Sequence, residues 1–484
     1  MDSAAILSEL RYLAPEIAML AVAAAAMFVH LFFPRRGRRW AGYVAFAGIA
    51  AACGVLLLTP QSSGVIMAGT LVADRFAVFL KLTALVSALL TIGLSFRFFD
   101  VEGGEPGEIY YLLPLALVGI MAAVSSADLI TTYVAFEVFA IPSYILAGVF
   151  KKERRSGEAG VKYFFLGSLS SALMLLGMAL VFGLTGETSY AVISRSLQDI
   201  NTHLALTGMI LFFSGLFFKA ALVPFHQWAP DVYEGAPTPL VVFLSTAPKA
   251  AVFAILIRSM ITIFTGFRAD WSLIFQGIAL VTMFWGNLAA LIQTNIKRMM
   301  AYSAIAQAGY IVIGLAAWGE LAQTAVLFYL FIYVFMNAAA FGLILLVRKG
   351  ETFGETIDDM RGLAKRSPGA AAAVLVVLLS LTGIPPTAGF MGKYFLFAAA
   401  VEKGMYLIVV AGALNSVISL FYYFKIGRAM FMEAPEASAA VAAPARRSAW
   451  AEIVIGISAL IVLLWGLFPS LLSDFAASSV LIRF

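Results

Sequence analysis

Fourteen stretches of about twenty mainly apolar residues follow one another along this chain, each long enough to cross a bilayer as a helix. They lie near 15–34, 40–60, 74–98, 109–127, 128–149, 160–184, 203–229, 237–264, 271–293, 298–317, 321–347, 369–399, 404–431 and 450–470. The composition agrees: 62% of the 484 residues are hydrophobic and 12% charged, about half the charge of a soluble domain. The expected fold is all-α and polytopic, one membrane domain over residues 1–484. The longest polar stretches, 348–368 and "EAPEASAAVAAPARRSAW" (433–450), read as simple loops too short to be domains.

An even number of spans puts both termini on one side. If they face outward, the inner loops hold "RRGRR" (35–39), Arg97, "KKERR" (151–155), Lys297 and Arg298, "RKGETFGETIDDMRGLAKR" (348–366) and the tract from Lys425 to Arg447. That side collects 20 of the 32 lysines and arginines, against six outside. The positive-inside rule therefore predicts outward termini, and the net charge of +5 reports orientation, not nucleic-acid binding. The start, "MDSAAILSELRYLAPEI", lacks a basic segment and a cleavage site, so no cleaved leader is expected. One cysteine, Cys53, and three histidines, His30, His203 and His226, cannot supply a thiolate-ligated iron–sulfur cluster and argue against a bis-histidine haem. No cofactor or metal is expected in this chain.

Six cations remain, Lys81, Lys162, Lys219, Lys249, Arg258 and Lys393, all within or at the ends of the spans. A charge at the bilayer centre costs about 2.5–3.5 kcal/mol on insertion scales. Glu137, in "ITTYVAFEVFAIPSYIL", lies nine residues from the nearest span end, roughly 13 Å deep. Lys219 is walled by Phe217, Phe218 and "AALV", which hinder snorkelling. Lys249 follows Pro248, and Lys393 lies beyond Pro385 and Pro386; prolines free backbone carbonyls that need protein or water partners at that depth. The plain alternative for Glu137 and Lys219 is a static ion pair that only glues helices. Lys162 reads equally as an anchor at its span end and His226 as a loop histidine. Lys81 and Arg258, about one turn from span ends, are expected to snorkel, and Asp74 and Asp128 to cap helices.

Buried lysines suit proton movement because burial lowers their proton affinity and an approaching carboxylate restores it. Thr246, Tyr302 and Tyr394 are candidates to hold connecting water. The proline-broken spans 203–229 and 369–399 lie five spans apart. This odd offset predicts two inverted five-helix repeats, helices 4–8 (109–264) and 9–13 (271–431), with helices 7 and 12 broken; residues 1–108 hold helices 1–3, and 450–470 the last. Such paired breaks point to a working site at the breaks.

The stretch "FKAALVPFHQWAPDVYEGAPTPLVVFLSTAPKAAVFA" (218–254) closely resembles the subunit N family of bacterial NADH-quinone oxidoreductase, respiratory complex I, as do "NIKRMMAYSAIAQAGY" (295–310) and "LTGIPPTAGFMGKYFLF" (381–397). The resemblance runs from helix 1 to helix 14. It implies a proton relay of Glu137, Lys219, Lys249 and Lys393, with weaker roles for Lys162 and His226. It further implies flavin, iron–sulfur clusters and quinone in partner subunits, neighbouring antiporter-like and small membrane subunits as partners, and a place in the bacterial inner membrane. The alternative is a subunit of a cation/proton antiporter, which would use the same Glu137–Lys219 pair. A passive scaffold is a third reading, and neutralising Lys219 would leave a scaffold's role untouched.

Overall fold

Apolar runs of this length fold as helices because hydrocarbon offers the backbone no other partner for its N–H and C=O groups. The computed structural model describes residues 9–33, 37–61, 64–102, 107–197, 202–349, 352–434 and 449–481. Arg35, Arg36, Arg446, Arg447 and Arg483 lie outside the described residues, as do most of the 433–450 loop and the side chains of Arg97, Arg348 and Lys349.

The helices are α1 Ala14–Phe32, α2 Gly37–Leu58, α3 Arg75–Glu102, α4 Ile109–Ser125, α5 Leu129–Ala147, α6 Arg154–Thr185, the short α7 Tyr190–Ser196, α8 Thr202–Ala220, α9 Trp228–Gly235, α10 Thr238–Thr262, α11 Arg268–Leu291, α12 Ile296–Ala317, α13 Glu320–Gly342, the one-turn α14 Leu363–Arg366, α15 Pro368–Thr382, α16 Ala388–Glu402, α17 Tyr406–Met432, α18 Ala449–Leu467 and α19 Ser470–Ala477. Among the described residues, 12 helices are long and apolar enough to cross a membrane. The two other predicted spans correspond to α4 and to the broken pair α15–α16.

Local chemistry sets several boundaries. Asp128 accepts from Thr131 N and Asn295 from Arg298 N, capping α5 and α12, as oxygen side chains do at helix starts. Pro224 and Pro385–Pro386 stand where α8 and α15 have ended, since proline cannot continue the helical hydrogen-bond ladder.

The centre is built by α10, α12 and α13. Every residue of α10 from Thr238 to Ile261 is buried, so this helix meets only protein. The pattern of neighbours occurs twice: α4 on α5, α6 on α8 and α9, α8 on α10, and α4 on α10 match α11 on α12, α13 on α15 and α16, α15 on α17, and α11 on α17. Outward faces carry large apolar side chains, such as Phe165 on α6 and Leu407 on α17.

Two antiparallel hairpins, β1 Val65–Ile66 with β2 Leu71–Val72 and β3 Arg348–Lys349 with β4 Thr352–Phe353, interrupt the helices. The second lies within the 348–368 stretch. That segment is docked on the start of α12: Ile296 N donates to Glu355 O at 2.7 Å and Ile357 N to Thr294 O at 3.1 Å.

Candidate functional site

The first break follows α8. Ala221 takes a left-handed φ of 59°, and Val223 N donates to Thr282 Oγ1 at 3.1 Å. From α9, the Trp228 indole N–H donates to Phe218 O at 2.7 Å. Phe218 O, which also accepts from Ala221 N at 2.9 Å, thus receives a second donor from across the break.

Lys219 stands in the last turn of α8, 1% exposed. Its Nζ has no hydrogen-bond partner among the described residues. Four rings surround it, with centroids at 4.5 Å for Tyr144 and Tyr163, 5.5 Å for Phe139 and 6.0 Å for Phe136. Ring faces attract an ammonium without committing a counter-charge to it. Glu137, next to Phe136 in the chain on α5, accepts a short hydrogen bond from Ser171 Oγ of α6, and Ser171 Oγ also lies 3.2 Å from Tyr133 Oη. Glu137 is within electrostatic reach of Lys219. Glu137 and Lys219 make no ion pair in this conformation: a hydroxyl holds the carboxylate and aromatic rings hold the lysine.

Lys249, at the centre of α10 and 1% exposed, donates to Ala304 O of α12 at 2.8 Å. The Tyr333 ring lies 5.8 Å from its Nζ. Thr246, one turn away, exchanges a 2.6 Å hydrogen bond with Ser87 of α3.

The second break follows α15, with Gly383 at φ 93°. A side chain there would be strained in backbone and would crowd Lys393, whose Cδ lies 3.0 Å from an added Cβ. Lys393 lies beyond this break, on α16, and reaches back over it. Its Nζ donates to Leu381 O at 3.1 Å, to Thr382 O at 2.9 Å and to Ser416 Oγ at 3.2 Å, with the Tyr310 ring centroid at 4.1 Å. The carbonyl end of a helix favours such a cation.

Between Lys249 and Lys393 runs a polar string that sequence reasoning missed. Gln307 Nε2 donates to Leu381 O at 2.9 Å, one of the carbonyls that Lys393 holds. Tyr329 Oη donates to Gln307 Oε1, and Ser303 bonds Tyr423. A signal was there: Ser303, Gln307 and Tyr310 recur on one face of α12, and Tyr329, Tyr333 and Asn337 on one face of α13, at helical spacing within otherwise apolar runs.

Several expected residues lie elsewhere. Lys162 belongs to a surface cluster at the end of the bundle where Arg154 opens α6. It contacts Glu158 and Asp231 at 2.8 Å each; Asp231 contacts Arg298 at 2.8 Å and Arg298 contacts Glu234 at 2.9 Å, around a cavity of about 250 Å³. Partial burial alone would raise the Asp231 carboxyl, but hydrogen bonds from Lys162 and Arg298 outweigh it and hold it below the usual carboxylate range. His226 is buried in the first break, edge-on to Trp285 at 5.6 Å. Tyr394 is 55% exposed and holds nothing in the interior. Tyr302 is half-buried, near Arg298.

Snorkelling is corrected for both cations assigned to it. Lys81 is buried against Glu16 of α1 at 2.6 Å. Arg258 is buried and donates to both Asp74 oxygens, at 2.9 and 3.1 Å, and to Val124 O at 3.2 Å. Asp74 also accepts from Ala77 N at 2.7 Å, so it caps α3 as expected while holding the arginine. A carboxylate deep enough to pair removes the need to reach the surface.

The family described as NADH:quinone oxidoreductase/Mrp antiporter, TM, matches residues 126–419. NADH-quinone oxidoreductase subunit N of Desulforamulus reducens is 38% identical, covering 97% of this chain and 98% of that protein. A chain of respiratory complex I from Thermus thermophilus with bound aureothin is 32% identical, with a TM-score of 0.80 over 96% of this chain and 99% of that one. A chain of the Mrp complex from Dietzia, at 23% identity and a TM-score of 0.85 over 97% of each chain, shares the fold. With matches of this extent on sequence and structure, the chain belongs to the NADH-quinone oxidoreductase subunit N family.

Proposed function

We propose that this chain is a proton-translocating membrane subunit of an NADH-quinone oxidoreductase, in the bacterial inner membrane with both termini outside. It holds no redox group of its own and is driven by quinone chemistry in partner subunits. Protons pass along Glu137, Lys219, Lys249 and Lys393. His226 and Lys162 stand beside the path, Lys162 within a charged cluster suited to gathering protons.

The observation that carries this reading is a contrast among buried cations. Lys81, Arg258 and Lys297 are each held by a carboxylate. Lys219, Lys249 and Lys393 are no more than 3% exposed and, among the described residues, none of them makes an ion pair. Glue between helices needs a fixed counter-charge, because an unpaired buried charge is costly. A lysine without one is free to take up and release a proton as its surroundings change. When Glu137 leaves Ser171 and approaches, Lys219 holds its proton; when the carboxylate returns, the proton moves on toward Lys249. Carrying one charge across 100 mV takes about 2.3 kcal/mol, so the switch draws its energy from the rest of the complex.

The test is NADH-driven proton translocation by the whole complex in liposomes. Glu137→Gln and Lys219→Ala should each depress it with the subunit still inserted, and the double variant should be no worse than the poorer single one. Losses that simply add would show that the two residues act independently.

A further inference from the structure

Three tyrosines from three helices lie between Lys219 and Lys249: Tyr163 on α6, Tyr233 on α9 and Tyr333 on α13. Each is at most 1% exposed, and each hydroxyl is without a hydrogen-bond partner among the described residues. Buried tyrosine hydroxyls normally find one. Phenylalanine would fill the same space without the cost of an unmade hydrogen bond, which is about 1–3 kcal/mol for a buried polar group. Packing alone therefore gives no reason for three hydroxyls here.

Their placement does. The Tyr163 ring centroid is 4.5 Å from Lys219 Nζ, and the ring lies flat on Trp228 at 4.3 Å. Trp228 meets Tyr233 edge-on at 5.9 Å. Its own N–H is committed to Phe218 O, so it serves as an apolar wall that lines up the two phenols. Tyr233 is within electrostatic range of both Tyr163 and Tyr333. The Tyr333 ring centroid is 5.8 Å from Lys249 Nζ. Asn337, one turn from Tyr333, is the side chain that faces its hydroxyl, without closing to full hydrogen-bond geometry.

We propose that Tyr163, Tyr233 and Tyr333, bridged by water, carry the proton from Lys219 to Lys249. A phenol both donates and accepts. At each step an O–H bond forms on the side facing Lys219 and the original O–H bond breaks toward Lys249, so no phenolate accumulates and only the proton advances. The bridging waters fit the chemistry of the hydroxyls, since unsatisfied buried polar groups are where internal water binds. This inference rests on the proton-relay reading above and adds to it the route between two of its lysines.

The experiment measures NADH-driven proton uptake by the reconstituted complex carrying Tyr233→Phe, beside Lys219→Ala. The expected result is a loss of at least tenfold in Tyr233→Phe, with the subunit retained in the complex and its thermal stability unchanged or higher, which a purely structural tyrosine would not give. Wild-type uptake in Tyr233→Phe with uptake lost in Lys219→Ala would overturn the tyrosine route and leave the relay standing. Wild-type uptake in both would overturn the relay reading itself. Should Tyr233→Phe fail to assemble, the same measurement on Tyr333→Phe decides, with the same expected and overturning results.

Discussion

The two broken helices present their lysines in opposite ways. In the first, Lys219 precedes the break, and the indole N–H of Trp228 crosses the gap to Phe218 O; the lysine is left to four aromatic rings. In the second, Lys393 follows the break and itself crosses back to Leu381 O and Thr382 O. One donor from the far half-helix bonds the near half-helix in each case, but a neutral indole does so at the first break and an ammonium at the second. The difference teaches that a similar break can separate the structural task from the proton-carrying one or combine them.

The largest expected effect sharpens this contrast. Lys219→Met and Lys393→Met should each lower NADH-driven proton translocation about tenfold or more, since coupling of only about 1.4 kcal/mol changes proton affinity tenfold. Their stabilities should diverge. Lys393→Met removes donors from two helix-end carbonyls and should cost about 1–3 kcal/mol, whereas Lys219→Met removes an amine without a hydrogen bond and should cost little. Thermal unfolding of the solubilised complex reads this, and equal losses in the two variants would break the comparison.

Trp228→Phe tests the other side of the gap. It leaves Phe218 O with Ala221 N as its remaining donor, and stability should fall by about 0.5–1.5 kcal/mol while Lys219 keeps its rings. A drop in translocation with stability unchanged would mean that the indole works on the proton and not on the helix end.

The smallest effect concerns the cluster that joins α6, α9 and α12, Asp231 with Lys162 and Arg298. The folded-state carboxyl lies below its unfolded value, so its contribution to stability is fully present above the unfolded value of about 3.9 and is lost as the pH falls through that point toward the folded value. Asp231 is about a third exposed, so the contribution should be at most about 1 kcal/mol. Asp231→Asn should flatten the acid limb of a melting-temperature profile between about pH 5 and pH 3, and a profile identical to wild type would remove the cluster as a staple between these helices.

Much of this architecture was legible from residues. Span length located the helices, the prolines located both breaks, and position within a span foretold that Lys219, Lys249 and Lys393 would be buried. What stayed hidden depended on partners distant in the chain. Lys81 and Arg258 read as snorkelling because nothing nearby shows Glu16 or Asp74, the latter 184 residues from its arginine. That Glu137 is held apart from Lys219 was not legible, since Ser171, an ordinary hydroxyl in a helix, gave no sign that it would take the carboxylate. Gln307, Tyr329 and Tyr333 fell within spans read only for apolarity, where periodicity of the polar residues was the available signal.

The buried pairs Glu16–Lys81 and Asp74–Arg258 share an order: in both, the acid comes first in the chain. A nascent chain enters the membrane from its N-terminus, so each acid must wait in the bilayer for a base not yet made. A carboxyl can wait, because it can take a proton and become neutral; an arginine cannot, because its guanidinium stays charged. At Asp74–Arg258 the sequence thus delivers the tolerant member early and the intolerant one when its partner is already in place. Exchanging the two, Asp74→Arg with Arg258→Asp, keeps the pair but reverses the order, and should lower the fraction of chains inserted relative to Asp74→Ala with Arg258→Leu, which loses the same helix cap but strands no charge. Equal insertion would show that order is immaterial. In this reading the spacing of charges along the chain is a timetable for biosynthesis as well as a map of contacts.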